Sequence, residues 1–188
     1  MKSKLHITQL AFFLILVLPA SLAGQDNWIS LFNGENLQGW SIHSGHATYS
    51  IEDGAIVGQA VPDSPNTFLC TDREFCDFIL EFEVLLEDEE LNSGVQFRSV
   101  ATQPDGTERV NGYQVECDDH DDRPWAGGIY EEASRGWLYP MSCNPKAAKF
   151  NKRGEWNRIR VEAVGSTIRT FINGVSFANL VDAGRSEG

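Results

Sequence analysis

Long stretches of 3.6-residue hydrophobic periodicity are missing from this 188-residue chain, which leaves strands to bury its apolar residues. Long charge runs and low-complexity tracts are missing too, so neither a linker nor a second domain is marked out. No internal repeat is present, which argues against stacked-repeat architectures. Basic residues are scarce, 15 Lys and Arg against 27 Asp and Glu. A surface this acidic repels phosphates and makes nucleic acid a poor partner; neutral sugars or a metal ion suit it better. Cys70, Cys76, Cys117 and Cys143 include no CxxC pair, which weighs against a structural zinc site.

The first 23 residues read as a signal peptide. Lys2, Lys4 and His6 give a basic start, and Leu10 to Leu18 is an unbroken apolar run ended by Pro19. Ser21-Leu22-Ala23 supplies the small residues a signal peptidase reads. The run is too short for a stable membrane anchor, and no cysteine follows the cleavage point to carry a lipid. The mature protein is therefore expected to start near Gly24, outside the cytoplasm, as a periplasmic or secreted protein. Losing Lys2 and Lys4 leaves 13 basic residues against 27 acidic ones. Export permits disulfides, and four cysteines allow three pairings that sequence alone leaves open.

From residue 24 to 188 the chain reads as one β-sandwich domain. Phe78, Leu80, Phe82 and Val84 alternate with Ile79, Glu81, Glu83 and Leu85. The same period of two runs through Val95-Gln96-Phe97-Arg98, Tyr113-Gln114-Val115-Glu116 and Arg158 to Ala163, as in half-buried antiparallel strands. Asn33-Gly34, Asp53-Gly54, Asn111-Gly112 and Asn173-Gly174 supply turn signals between strands. Pro145 to Phe150 alone has the character of a helical turn. Two packed sheets with Greek-key connections follow. No closing strand is seen after Val181, so the chain reads as truncated at its C-terminus.

The polar positions of the central strands carry Glu81, Glu83, Gln96, Arg98, Gln114, Glu116 and Asp118. On a curved sheet these converge in one cleft; on a flat one they form solvated cross-strand ion pairs. The densest cluster is Glu116-Cys117-Asp118-Asp119-His120-Asp121-Asp122. Neighbouring carboxylates raise one another's pKa, which suits acid–base work, and His120 is a candidate general base or metal ligand. No cofactor is required by these residues, although a divalent metal ion would find ligands here. The spacing Glu116-x-Asp118-x-x-Asp121 also resembles the ExDxxE signature of retaining β-glucanases, with Asp in place of the last Glu. Trp125 and Trp137 lie in Gly/Pro-rich segments and are candidates to stack on sugar rings, whereas Trp156 opens a strand and reads as core.

Several phrases, in order, resemble one family. They are Leu31-Phe32-Asn33-Gly34 with Gly39-Trp40, Asp53-Gly54, Phe78 to Glu83, and Asn92-Ser93-Gly94-Val95-Gln96-Phe97-Arg98. Gly112 to Glu116, Gly128-Ile129-Tyr130, Glu155-Trp156-Asn157 and Ile172-Asn173-Gly174 continue the match. The chain is similar to the 3-keto-disaccharide hydrolase domain. The resemblance implies a concanavalin A-like jelly roll and cleavage of glycosides oxidised to a ketone at C3. It implies Glu81, Arg98 and Glu116 as catalytic candidates, to which the chemistry adds His120. Gln96, Gln114, Asp118, Trp125, Tyr130 and Trp137 are then the substrate-binding candidates. Arg98 is expected to stabilise an enolate. Two departures stand out: members carry a His where this chain reads Arg169-Thr170-Phe171-Ile172, and they continue with a further strand. A non-catalytic lectin-like module is the rival reading, because this fold hosts many sugar binders.

Overall fold

The computed structural model describes residues 4–8, 28–87, 92–102, 108–118 and 120–184. Apart from 4–8, the predicted signal peptide lies outside the described residues. The strands are β1 (Lys4–Thr8), β2 (Trp40–Ser44), β3 (Thr48–Glu52), β4 (Ala55–Gln59), β5 (Thr67–Thr71), β6 (Phe78–Leu86) and β7 (Gly94–Thr102). They continue as β8 (Arg109–Glu116), β9 (Ile129–Glu132), β10 (Gly136–Tyr139), β11 (Asn157–Val164), β12 (Thr167–Ile172) and β13 (Val175–Val181). Two 3-10 turns, Met141–Cys143 and Ala148–Phe150, are the helical content of the described residues.

Seven strands form one antiparallel sheet in the order β13-β12-β11-β6-β1-β4-β3. A second sheet runs β10-β9-β8-β7, and β2 pairs with β5 in a small third one. The two larger sheets bury their apolar positions against each other. Val84, Ile159, Val161, Ala163, Ile168, Ile172 and Phe177 come from one side, and Phe97, Tyr113, Val115 and Ile129 from the other. Phe97 stacks on Tyr113 with ring centroids 5.6 Å apart and meets Phe78 edge-on at 5.7 Å, joining the layers. Each of these large side chains contributes about 1.5–3 kcal/mol by leaving water. The expected all-β sandwich is therefore the fold.

The hairpin turns follow their sequence signals where tertiary structure permits. Asp53-Gly54 joins β3 to β4 and Asn173-Gly174 joins β12 to β13, each with both residues at positive φ, the conformation that two-residue Asn/Asp-Gly turns favour. Asn111-Gly112 corrects the expectation of a turn, because both residues lie inside β8. The cause is a bulge in β7, where register with β8 shifts between Phe97 and Val100. The bulge drives Ser99 against the partner strand. A Cβ at position 112 would fall 2.1 Å from Oγ of Ser99 and 2.7 Å from its Cα, so glycine serves here for close approach.

β1 belongs to the predicted signal peptide. It pairs antiparallel with β4, Ile7 opposite Ile56, and with β6, Ile7 opposite Val84.

Candidate active site

The period of two divides β8 between two environments. Tyr113 and Val115 enter the core, while Gln114 and Glu116 face the other side of the four-stranded sheet. On that face the strands stand in register, with Gln96 opposite Gln114 and Gln114 opposite Tyr130. Tyr130 in turn stands opposite Trp137. Gln96 donates from Nε2 to Oε1 of Gln114 at 3.1 Å, and Gln114 donates from its own Nε2 to Oε1 of Glu116 at 2.9 Å. Tyr130 and Trp137 meet edge-on at 5.4 Å, and Trp125 meets Trp137 at 5.5 Å. A chain of polar groups thus ends in a carboxylate beside a three-ring aromatic cluster.

The β8–β9 loop holds these rings by its backbone. Gly127 N–H donates to the Glu116 carbonyl, and Glu116 N–H donates to that of Gly128. Thr170 in β12 donates from Oγ1 to the Gly127 carbonyl at 2.6 Å, tying the loop to the opposite sheet. Gly127 sits at φ +80°, and a Cβ there would lie 2.5 Å from the Phe177 ring. Any other residue would strain the backbone and push the loop off its support.

Glu116 is buried, and its Oε2 has no hydrogen-bond partner among the described residues. Burial pushes its pKa up to about 7. The Gln114 hydrogen bond opposes that rise, while the charges of Asp118 and Glu132 add to it. A carboxyl group of this kind exchanges its proton near neutral pH.

Asp118, two residues beyond Glu116 and past the end of β8, is fully buried. It lies 3.2 Å from Nε2 of His120 and 3.5 Å from Nη1 of Arg123, whose guanidinium stands over the Trp125 ring at 5.5 Å. His120 and Asp118 line a cavity of about 40 Å³ with Cys117, Asn151, Lys152 and Arg153 at one end of the sandwich. Arg123 carries no sequence signal of its own; only the folded loop brings it to Asp118 and Trp125.

Three expected members of the cleft, Glu81, its strand neighbour Glu83 opposite Arg158, and Arg98, stand elsewhere. Glu81 lies on the outer face of the seven-stranded sheet, opposite Arg160 in register. Arg158 donates to its Oε2, and Arg160 donates to Oε1 at 2.6 Å. Burial pushes the Glu81 pKa up, but the two guanidiniums outweigh it and hold the carboxyl below its usual range. Arg98 sits on the β7 bulge at φ +48°. It donates to Oδ1 of Asp77 at 2.9 Å and to the Gly165 carbonyl at 2.6 Å, so both terminal nitrogens are engaged beside the β11–β12 turn. The shared face expected for Glu81, Arg98 and Glu116 is thus split. Gln96, Gln114, Glu116, Tyr130 and Trp137 come together, with Trp125 against Trp137, while Asp118 and His120 follow at the strand's end.

The four cysteines are free thiols. Burial, reinforced by Glu116 and Asp118, pushes the Cys117 thiol up to about 12 and makes it a poor nucleophile. Among the described residues, no group of three or more His, Cys, Asp or Glu side chains is arranged to hold a metal ion.

The family model of the 3-keto-alpha-glucoside-1,2-lyase-like domain matches residues 27–188. The chain belongs to that family. A solved structure from Parabacteroides distasonis, described as "a putative glycosyl hydrolase", superposes with a TM-score of 0.53 at 18% identity. The match covers 83% of this chain and 72% of that one. At this identity the likeness establishes the fold, the concanavalin A-like jelly roll expected from sequence. No curated protein matches.

Proposed function

We propose that the protein is an exported enzyme that cleaves 3-keto-glycosides by elimination across C1 and C2. Glu116 carries the reading: a buried carboxyl with an unpartnered oxygen, titrating near neutrality, beside an aromatic cluster. Family membership supplies the substrate class, and the neighbour's description as a glycosyl hydrolase agrees with it.

A C3 ketone acidifies the C2 proton. A base of the cleft removes that proton, and its bonding pair enters an enolate spread over C2, C3 and the C3 oxygen. As the enolate collapses, C3=O re-forms, C1=C2 forms, and the C1–O1 bond breaks with its electrons leaving on O1. Glu116 in its neutral form gives O1 a proton. Water adding across C1=C2 completes a net hydrolysis. The aromatic rings of Tyr130, Trp125 and Trp137 offer apolar faces for the sugar, and Gln96 and Gln114 offer amides for its hydroxyls.

The test compares a 3-keto-glycoside with its unoxidised parent. Wild-type protein is expected to cleave the ketone and spare the parent, and Glu116→Gln to lose roughly a hundredfold or more in kcat on a substrate whose leaving group is an alcohol, within the range of general-acid contributions. Equal cleavage of the parent would favour the β-glucanase-like reading. Tight sugar binding without cleavage, which the aromatic cluster could support unaided, would favour the lectin-like one.

A further inference from the structure

Glu131 and Glu132 are adjacent glutamates at the end of β9, and the fold sends the two in opposite directions. Glu131 is buried and accepts a hydrogen bond from Nε of Arg135, and Arg135 also reaches Oδ2 of Asp182. That is a structural tie between the β9–β10 hairpin and the end of β13. Glu132, one position on, shares the face of Tyr130 by strand alternation. It stands opposite Gly112, two positions along β8 from Gln114. Gly112 has no side chain, and Ser99 of β7 packs into the space one would fill. Glu132 is half-buried and its side chain makes no hydrogen bond or ion pair with any described residue, whereas Glu81, Glu131 and Glu162 each hold an arginine. Its charge is felt at Glu116.

One face therefore carries two carboxyl groups separated by Gln114 and Tyr130: Glu116, buried and proton-holding, and Glu132, more open to water. We infer that Glu132 is the base that removes the C2 proton, dividing the work of the cleft with Glu116 as the acid. The inference rests on the keto-glycoside reading. Elimination of an alcohol needs a base at C2 and an acid at O1, and two carboxyl groups in unlike environments supply them. The proton passes from C2 to Glu132 as the C2–H pair enters the enolate, and O1 takes its proton from Glu116 as C1–O1 breaks. Glu132 ends protonated and Glu116 ionised. Exchange of one proton each with water restores the starting state, and no oxidant or reductant is consumed.

The experiment follows two substrates in deuterium oxide, a methyl 3-ketoglucoside and a nitrophenyl 3-ketoglucoside. Release of alcohol or phenol is recorded together with NMR loss of the C2 proton signal from unreacted sugar. Glu132→Gln is expected to lose both C2 exchange and cleavage a hundredfold or more on either substrate, with an unchanged melting temperature. Glu132→Asp, which keeps the carboxylate on a shorter arm, is expected to recover part of both. Glu116→Gln is expected to keep C2 exchange and to cleave the nitrophenyl substrate, whose leaving group needs no proton, while failing on the methyl one. Full exchange and turnover in Glu132→Gln overturns the assignment and leaves the keto-glycoside reading standing. Folded wild-type protein that neither exchanges nor cleaves overturns that reading and this assignment with it.

Discussion

Gln114 donates from Nε2 to Oε1 of Glu116 at 2.9 Å, while Oε2 of the same carboxyl group is buried with no hydrogen-bond partner among the described residues. The amide stabilises the charged form of Glu116 and holds its pKa lower than burial alone would set it. Replacing Gln114 with Leu removes that restraint and raises the Glu116 pKa further. If Glu116 acts as the acid, activity declines as pH rises through its pKa, so the basic limb of the kcat–pH profile should move to higher pH in Gln114→Leu. A limb that stays in place would show that another group sets it.

Stability should respond to the same group. A carboxyl raised to about 7 in the folded state favours folding through its protonated form. Its stabilisation is full below the unfolded carboxyl pKa, about 4.3, and is lost as pH rises through about 7. Glu116→Gln should therefore match wild type in stability near pH 4 and exceed it above pH 7. The gain is on the order of 3–4 kcal/mol, taking roughly 1.4 kcal/mol per unit. Urea unfolding at several pH values measures it; parallel stability curves would contradict it.

Arg98→Lys should behave as a structural change. Lysine cannot reach Asp77 and the Gly165 carbonyl with the same planar fork, and the loss should cost about 1–2 kcal/mol. Turnover of a 3-keto-glycoside should stay within about twofold of wild type at temperatures where both are folded, since no catalytic interaction is removed. A hundredfold loss of kcat with an unchanged melting temperature would return Arg98 to the chemistry.

Trp137 touches both Tyr130 and Trp125, so Trp137→Ala dismantles the aromatic cluster while leaving the Gln114–Glu116 bond in place. Aromatic contacts of this kind contribute about 0.5–1.5 kcal/mol each. The expected result is a KM raised roughly tenfold with kcat changed only a few-fold. A collapse of kcat at constant KM would instead place Trp137 at the reacting atoms.

Deleting residues 1–23, as export would, removes β1 from between β4 and β6. That strands backbone groups of the 56–59 segment of β4 and of the 83–86 segment of β6, which unpaired would invite a new strand. The shortened chain should melt lower, and the amides of β4 should exchange faster with solvent than those of β12. Equal protection of β4 in both chains would show that its pairing is made good without β1.

What the sequence determined by itself was local. Alternation in Phe78 to Leu86 and in Tyr113 to Glu116 marked which side chains would face the core, because a strand turns successive residues to opposite faces wherever it lies. Asp53-Gly54 and Asn173-Gly174 marked hairpins because the backbone needs positive φ there. Glu116, Gln114, Tyr130, Trp125 and Trp137 were legible as candidates from residue type and from the family resemblance. Alternation does not say which sheet a strand joins, and that depends on partners far along the chain. Glu81 and Glu116 occupy matching polar positions in their own strands, yet long-range pairing gave Glu81 two arginines on the seven-stranded sheet and left Glu116 buried on the other. The bulge that turned Arg98 toward Asp77 and drew Asn111-Gly112 into a strand is likewise a property of two strands together. Glu131 and Glu132 read alike in the sequence; only the pairing of β9 with β8 and β10, with the core on one side and the open face on the other, gave them different surroundings.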